Sequence, residues 1–193
     1  GLEAPEIHNL TVGIIGAGKI GSAVARIFRA LGATVIVSDP VKRPELADTV
    51  SYVDLNTLLT TSDVVTVHTP LDGLTTHLID ADALRKMKPT AYLINAARGP
   101  IVDTEALIKA LNDHTIAGAA LDTIEGEAGI FGEDRSQTLV DNQALETLKA
   151  MPNVEISPHI GFYTDAAVKN MIDISLDDVK TILEGGKSAH QVN

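Results

Sequence analysis

Cysteine and tryptophan are missing from the 193 residues, and aromatic residues make up only 3%. Without cysteine there is no disulfide framework and no thiol chemistry, which fits a reducing compartment and leads to the expectation of a cytoplasmic protein. Positive charge is also scarce. Fifteen Lys and Arg stand against 26 Asp and Glu, a formal charge of −11. Nucleic acid and anionic membranes repel such a surface unless a basic patch is set aside for them. The nearest approach to one, Lys42-Arg43, is flanked by Asp39 and Glu45, so neither partner is expected. No uncharged apolar run approaches the ~18 residues of a membrane helix. Gly1 to Glu6 lacks the basic start and apolar stretch of a signal peptide. No Cys/His cluster offers metal-ligand spacing, so no metal site is expected. What is present, 45% hydrophobic and 21% charged residues, is the composition of one globular domain able to bury a core.

Short apolar runs alternate with amphipathic segments along the chain. Strands are expected at 11–15, 34–38, 51–53 (weak), 64–68, 91–97, 116–121 and 154–157. Between the first two, Ile20, Val24, Ile27, Phe28 and Leu31 mark one helical face, and Gly32 ends that helix. Asp54, Asp80 and Asp103 are N-caps for further helices, the last carrying Ala106, Leu107, Ala110 and Leu111. Thr164 caps a long final helix with a stripe of Val168, Met171, Ile172, Leu176, Val179, Ile182 and Leu183, ended by Glu184-Gly185-Gly186. Near-continuous apolar strands alternating with helices imply an α/β fold, a parallel sheet covered on both faces. Residues 128–140 read as an irregular loop, long enough to suggest a function.

Gly16-Ala17-Gly18-Lys19-Ile20-Gly21 is a G-x-G-x-x-G that follows a strand and opens a helix. In that context Gly16 permits a tight turn, Gly18 lets a pyrophosphate approach the backbone, and Gly21 lets the helix pack on the strand. The helix N-terminus offers amides and a positive dipole end to the phosphates. Asp39 ends the second strand, 23 residues after Gly16. A carboxylate there accepts hydrogen bonds from adenosine ribose hydroxyls and repels a 2′-phosphate, favouring NAD over NADP. Arg43 would soften that preference if it turned inward.

Three polar residues follow strands where an open parallel sheet binds ligands: Arg98, Glu127 and His159. Singly, each has an ordinary reading as a surface ion pair, a solvated acid or a turn residue. Together they suit the reduction of a 2-oxo acid. An arginine grips the carboxylate with two parallel bonds, a histidine gives a proton to the carbonyl oxygen, and a glutamate favours and orients the imidazolium.

Residues 12–21, 95–103 (Asn95-Ala96-Ala97-Arg98-Gly99-Pro100-Ile101-Val102-Asp103), 122–127 and 157–159 occur in the order in which similar motifs occur in one family. Over about 10–185 the sequence resembles the NAD-binding domain of the D-isomer-specific 2-hydroxyacid dehydrogenases. Residues 125–131 and Phe162-Tyr163 resemble the D-lactate and D-2-hydroxyisocaproate branch. The resemblance implies a Rossmann-type, doubly wound three-layer αβα domain that binds NAD through Gly16, Gly18, Lys19, Ile20, Gly21, Asp39, His68, Thr69, Pro70, Thr75, Ala96, Ala97 and Asp122. It implies Arg98 on the substrate carboxylate, His159 as acid/base with Glu127 as its partner, and Phe162 and Tyr163 beside a small 2-oxo or 2-hydroxy acid. It also implies a homodimer and a separate substrate domain, which is expected to be missing from this chain and needed for full activity. A strand-end role without ligand contact is as reasonable for His68. His8, His77, His114 and His190 match no catalytic motif and read as surface residues. The competing readings are an NAD-binding module and an NAD-sensing regulator, neither catalytic.

Overall fold

The computed structural model describes residues 4–128, 130 and 142–190. Seven strands form one sheet: β1 (Thr11–Ile15), β2 (Thr34–Ser38), β3 (Ser51–Tyr52), β4 (Val64–Val67), β5 (Tyr92–Asn95), β6 (Gly118–Leu121) and β7 (Val154–Ile156). All pair in parallel, in the order β3-β2-β1-β4-β5-β6-β7. All seven expected strands are present, β1 and β2 with the expected bounds and the other five shorter by one to three residues. The chain runs outward from β1 to β3 and then returns to β4 on the other side of β1. The loops after β1 and β4 therefore part, leaving a crevice at the carboxyl ends of the strands, where such sheets bind ligands.

The helices are α1 (Lys19–Ala30), α2 (Leu55–Thr61), α3 (Ala81–Lys86), α4 (Thr104–Asn112), α5 (Gln143–Ala150) and α6 (Asp165–Leu183). Asp54, Asp80, Asp103 and Thr164 cap α2, α3, α4 and α6, each accepting a bond from the amide three residues on, as their spacing predicts. Helix α5, capped by Asn142, was not foreseen. The expected 128–140 loop falls largely outside the described residues.

The chain divides into two compact units, Gly1–Pro158 and His159–Asn193. In the first, the larger core packs one sheet face (Val65, Val67, Leu93, Leu121) against Leu58, Leu84, Leu107 and Leu145 of α2 to α5. A smaller core on the other face packs Val12, Ile14, Val35 and Val37 against α1 and the fully buried Leu46. On this second face, Val64, Tyr92 and Ile94 border a shallow hollow, and Tyr92 is 53% exposed.

Two apolar faces differ from expectation. Helix α1 buries Gly21, Ser22 and Ala25 and packs the half-buried Val24 and Phe28 of the expected face against the second core, while Ile20, Ile27 and Leu31 are more than half exposed. Small residues let the helix lie close to the sheet, and this turns Ile20, Ile27 and Leu31 away. The second unit is the 19-residue α6 with its flanking turns, and none of its helical residues is buried. Among the described residues no helix is long and apolar enough to cross a membrane, and no group of acidic or His side chains is arranged to hold a metal.

Candidate functional site

The turn after β1 has three glycines with three different reasons. Gly16 has φ +91°, and a Cβ on it would lie 2.8 Å from the backbone of His68 and Thr69. Both the left-handed conformation and the close approach of the β4 end exclude a side chain. A Cβ on Gly21 would collide with the carbonyl oxygen of Gly16, so this residue sets how closely α1 leaves the turn. Gly18 has an ordinary φ of −64°, and a Cβ there would meet nothing within 4 Å. Neither the turn nor the packing requires glycine at that position, and the open space before it is where a phosphate fits. Helix α1 begins next to it with no side-chain cap, leaving its first amides for an anion.

Asp39 closes the opposite wall. Its Oδ2 accepts from the Ala17 amide at 2.6 Å and its Oδ1 from the Val41 amide at 2.6 Å. The carboxylate is thereby fixed beside the glycine turn, and an ionised carboxylate retains lone pairs for ribose hydroxyls. Between the walls lies a cleft of about 450 Å³, within the size range of small-ligand sites. Gly16, Gly18, Asp39, His68, Thr69, Pro70 and Thr75 line it, as expected, together with Arg43, Asp72 and Leu74. Lys19, Ile20 and Gly21 are not part of the lining: Gly21 is buried beneath the turn, and Ile20 is 67% exposed on α1.

His68 is half-buried, with Nε2 3.0 Å from Thr66 Oγ1. Burial lowers its pKa, so it faces the cleft as a neutral ring at pH 7. Thr75 has a structural task that its motif did not reveal. Its hydroxyl donates to the Pro70 carbonyl at 2.7 Å and accepts from the Asp72 amide at 2.8 Å. Asp72 in turn accepts from the amides of Leu74 and Thr75. The readable signal for this loop was Asp72-Gly73, a common turn pair.

A second cluster lies at the ends of β5, β6 and β7. Ala96 and Asp122 border a small hollow there, and Asp122 accepts from the Ser157 hydroxyl at 2.6 Å. The fully buried Asn95 ties two strand ends together. Its Nδ2 reaches the Arg98 carbonyl at 3.0 Å and the Thr123 carbonyl at 3.5 Å, and its Oδ1 accepts from the Ala97 amide. Gly99 packs against Ile124 so closely that a Cβ would collide with the Ile124 backbone. Arg98 and the 122–127 turn are thus held side by side. The Arg98 side chain is exposed, donates to the Ala97 carbonyl at 2.7 Å, and makes no ion pair among the described residues. Half-buried Glu127 accepts from the Ile124 amide at 2.8 Å.

Glu125 makes a contact the sequence did not suggest. One oxygen pairs with His77 Nε2 at 2.7 Å, and the other accepts from the Thr104 amide at 3.0 Å. His77, read as a surface histidine, is exposed but joins the loop after β4 to the turn after β6. Its backbone amide also donates to the Pro100 carbonyl.

His159, Phe162 and Tyr163 open the second unit. His159 has φ +54°, an unusual conformation for a residue with a side chain. Its ring meets Phe162 edge-on at 6.1 Å between centroids, and Phe162 meets Tyr163 the same way at 5.9 Å.

Residues 1–161 match the family described as D-isomer specific 2-hydroxyacid dehydrogenase, NAD binding domain. The chain belongs to this family. It is 44% identical over 190 residues to a D-lactate dehydrogenase of Lactiplantibacillus plantarum, covering 98% of this chain and 57% of that protein. Among solved structures, a D-lactate dehydrogenase from Sporolactobacillus superposes with a TM-score of 0.95 at 58% identity, over 100% of this chain and 58% of that one. The NAD complex of a D-isomer specific 2-hydroxyacid dehydrogenase from Lactobacillus delbrueckii ssp. bulgaricus gives 0.93 at 49% identity. The chain thus spans a little under three-fifths of these relatives' length. NAD is the cofactor the family domain binds, and the glycine turn with Asp39 is the part of the fold that suits it.

Proposed function

We propose that this domain belongs to an NAD-dependent oxidoreductase that interconverts a 2-oxo acid and a D-2-hydroxy acid, with pyruvate and D-lactate as its simplest pair. The observation that carries the reading is Arg98: an exposed guanidinium with no carboxylate partner among the described residues, anchored through its own backbone at a strand end. An arginine held there suits a substrate carboxylate, which it binds through two parallel charge-assisted bonds. When bound, NADH would supply the hydride for the substrate carbon. His159 supplies the proton to the carbonyl oxygen, with Glu127 as its partner. Asp122 serves the nicotinamide end of the cofactor and Asp39 the ribose end, while Phe162 and Tyr163 border the substrate.

In this reading the remaining length of the relatives supplies a substrate domain that closes over the cleft, since excluding water and holding the substrate account for much of the rate. The working protein is a cytoplasmic homodimer. The half-open sheet face around Tyr92 supports the dimer, and the absence of cysteine supports the compartment.

The test is a hybrid in which this chain replaces the corresponding part of the L. plantarum relative. Pyruvate-dependent oxidation of NADH is expected in the hybrid and only weakly in the chain alone. Arg98→Gln should lower kcat/KM for pyruvate by about a hundredfold or more, in proportion to a lost charge-assisted pair. His159→Asn should stop turnover while NADH still binds. A hybrid that binds NADH and reduces no 2-oxo acid would reject catalysis and leave a cofactor-binding module or sensor. Fast turnover by the chain alone would reject the need for a second domain.

A further inference from the structure

Arg43 stands four residues after Asp39 and lines the same cleft. Its position is set from several sides. Its amide donates to the Tyr52 hydroxyl at 2.9 Å, and the following residues, Pro44–Leu46, form a tight helical turn that drops Leu46 into the core. Tyr52 itself pairs with Val37 across β2 and β3. The arginine therefore leaves a braced backbone, beside the carboxylate that marks the ribose end of the cofactor.

Its side chain is half-buried, and its Nε is wholly buried with no hydrogen-bond partner. Folded proteins rarely leave a buried donor in that state, and each such group calls for an explanation. Asp39 does not complete it. Both Asp39 oxygens accept from backbone amides, and no ion pair links the two residues. One cleft thus contains an anion fixed by backbone and a cation left without an acceptor, where a purely NAD-selective pocket needs only the anion.

The missing acceptor should carry negative charge and several lone pairs. In this type of fold the ribose carboxylate serves the 2′-hydroxyl of NAD, whereas a nearby arginine accommodates the 2′-phosphate of NADP. This chain has both. We propose that Arg43 makes the cleft a dual-cofactor site that accepts NADPH as well as NADH. The guanidinium donates to oxygens of the 2′-phosphomonoester and offsets the repulsion from Asp39, with the exposed Lys42 adding positive charge beside it. The inference rests on the assignment of this cleft to the adenosine end of the dinucleotide.

The test is a pair of titrations of the 193-residue chain with NADH and with NADPH, followed by nicotinamide fluorescence, in the wild type and in Arg43→Ala and Arg43→Lys. The wild type should bind NADPH within about tenfold of NADH. Arg43→Ala should weaken NADPH by about tenfold or more and NADH by less than about twofold, and Arg43→Lys should recover part of the loss, because a lysine keeps the charge without the planar fork. Competition needs no variant: 2′,5′-ADP should displace NADH about as well as ADP does. NADH binding with NADPH or 2′,5′-ADP weaker by about a thousandfold would overturn the proposal. So would an equal loss of both cofactors in Arg43→Ala. Failure of the wild type to bind either cofactor would instead overturn the assignment of the cleft itself.

Discussion

Helices α4 and α6 display the same kind of apolar periodicity, and only one of them buries it. In its nine residues α4 buries Thr104, Leu107, Ala110 and Leu111. In its nineteen α6 buries none, and Met171, Ile172, Leu176, Val179 and Ile182 are all more than half exposed. Both are well capped, and both carry an i,i+4 Lys–Asp pair on or beside the helix. Capping and local pairs are enough to define a helix. Packing decides how much of the fold depends on it.

Removing side chains from the two stripes is the strongest way to break this contrast. Leu107→Ala should cost about 2–5 kcal/mol, the usual loss for a fully enclosed leucine. Leu176→Ala, at a position 63% exposed, should stay within about 0.5 kcal/mol. Urea unfolding followed by circular dichroism measures both. An equal loss at Leu176 would show that the α6 stripe is packed in solution.

The glycine turn gives a second contrast, between packing and binding. Gly21→Ala forces a methyl into the Gly16 carbonyl and should cost about 1–3 kcal/mol, as overpacking does. Gly18→Ala has nothing to collide with in the fold. It should leave the unfolding midpoint unchanged while weakening NADH by about tenfold or more, since one methyl keeps the pyrophosphate off the amides. Loss of stability at Gly18, or unchanged NADH affinity, would contradict the division of labour within the motif.

These two contrasts also separate what the sequence could reveal from what it could not. All seven strands and four caps were legible because alternation and capping are local. Gly16, Gly18 and Asp39 were legible because their spacing is set by a strand, a turn and a helix of nearly fixed length. The face that α1 presents was legible only in part: Val24 and Phe28 pack inward as expected, and Ile20, Ile27 and Leu31 do not. Its largest apolar residues suggested one face, but close approach favours the small ones, Gly21, Ser22 and Ala25. The bond between His77 and Glu125 spans 48 residues, and only the pairing of β4, β5 and β6 brings those loops into contact. Thr75 was expected at the cleft and is there, but the bond that employs its hydroxyl depends on a turn conformation rather than on a spacing.

Removing the caps should produce a smaller effect of the same kind. Asp103 accepts from the Ala106 amide at 2.9 Å at the start of the buried α4, and Thr164 accepts from the Ala167 amide at 3.2 Å at the start of exposed α6. Asp103→Ala should cost about 1 kcal/mol of global stability. Thr164→Ala should fray α6 locally, with faster amide exchange in its first turn and an unfolding midpoint nearly unchanged. A drop in midpoint at Thr164 as large as that at Asp103 would again argue that α6 is integrated into the core.

The smallest expected effect depends on pH and again involves the start of α4. The bond from Glu125 raises the pKa of His77 above its ordinary value; burial opposes the shift, and the charges of Glu125, Asp103 and Asp80 add to it. Burial would raise the Glu125 carboxyl, but the bonds from His77 and Thr104 outweigh it and leave the pKa lowered. Protonated His77 is thus favoured by folding. Its contribution is complete below about pH 6.5 and is lost as the pH rises through the raised folded value. Ionised Glu125 is also favoured by folding. Its contribution is present above the usual carboxylate range and is lost as the pH falls through the lowered folded value. The pair therefore stabilises most between those limits. Because His77 is 44% exposed, solvent screening limits the gain to about 1 kcal/mol or less. In α6, Asp178 also has a lowered pKa, from bonds to the Ser188 hydroxyl and to His190, but it is only half-buried and braces a terminal turn. Glu125→Gln should therefore flatten the fall in stability above pH 6.5 and return the His77 titration toward the ordinary value in an NMR experiment. Asp178→Asn should leave the stability profile as it was. If Glu125→Gln left the His77 titration unmoved, the ion pair would not persist in solution, and α4 would be anchored by its cap and its buried leucines alone.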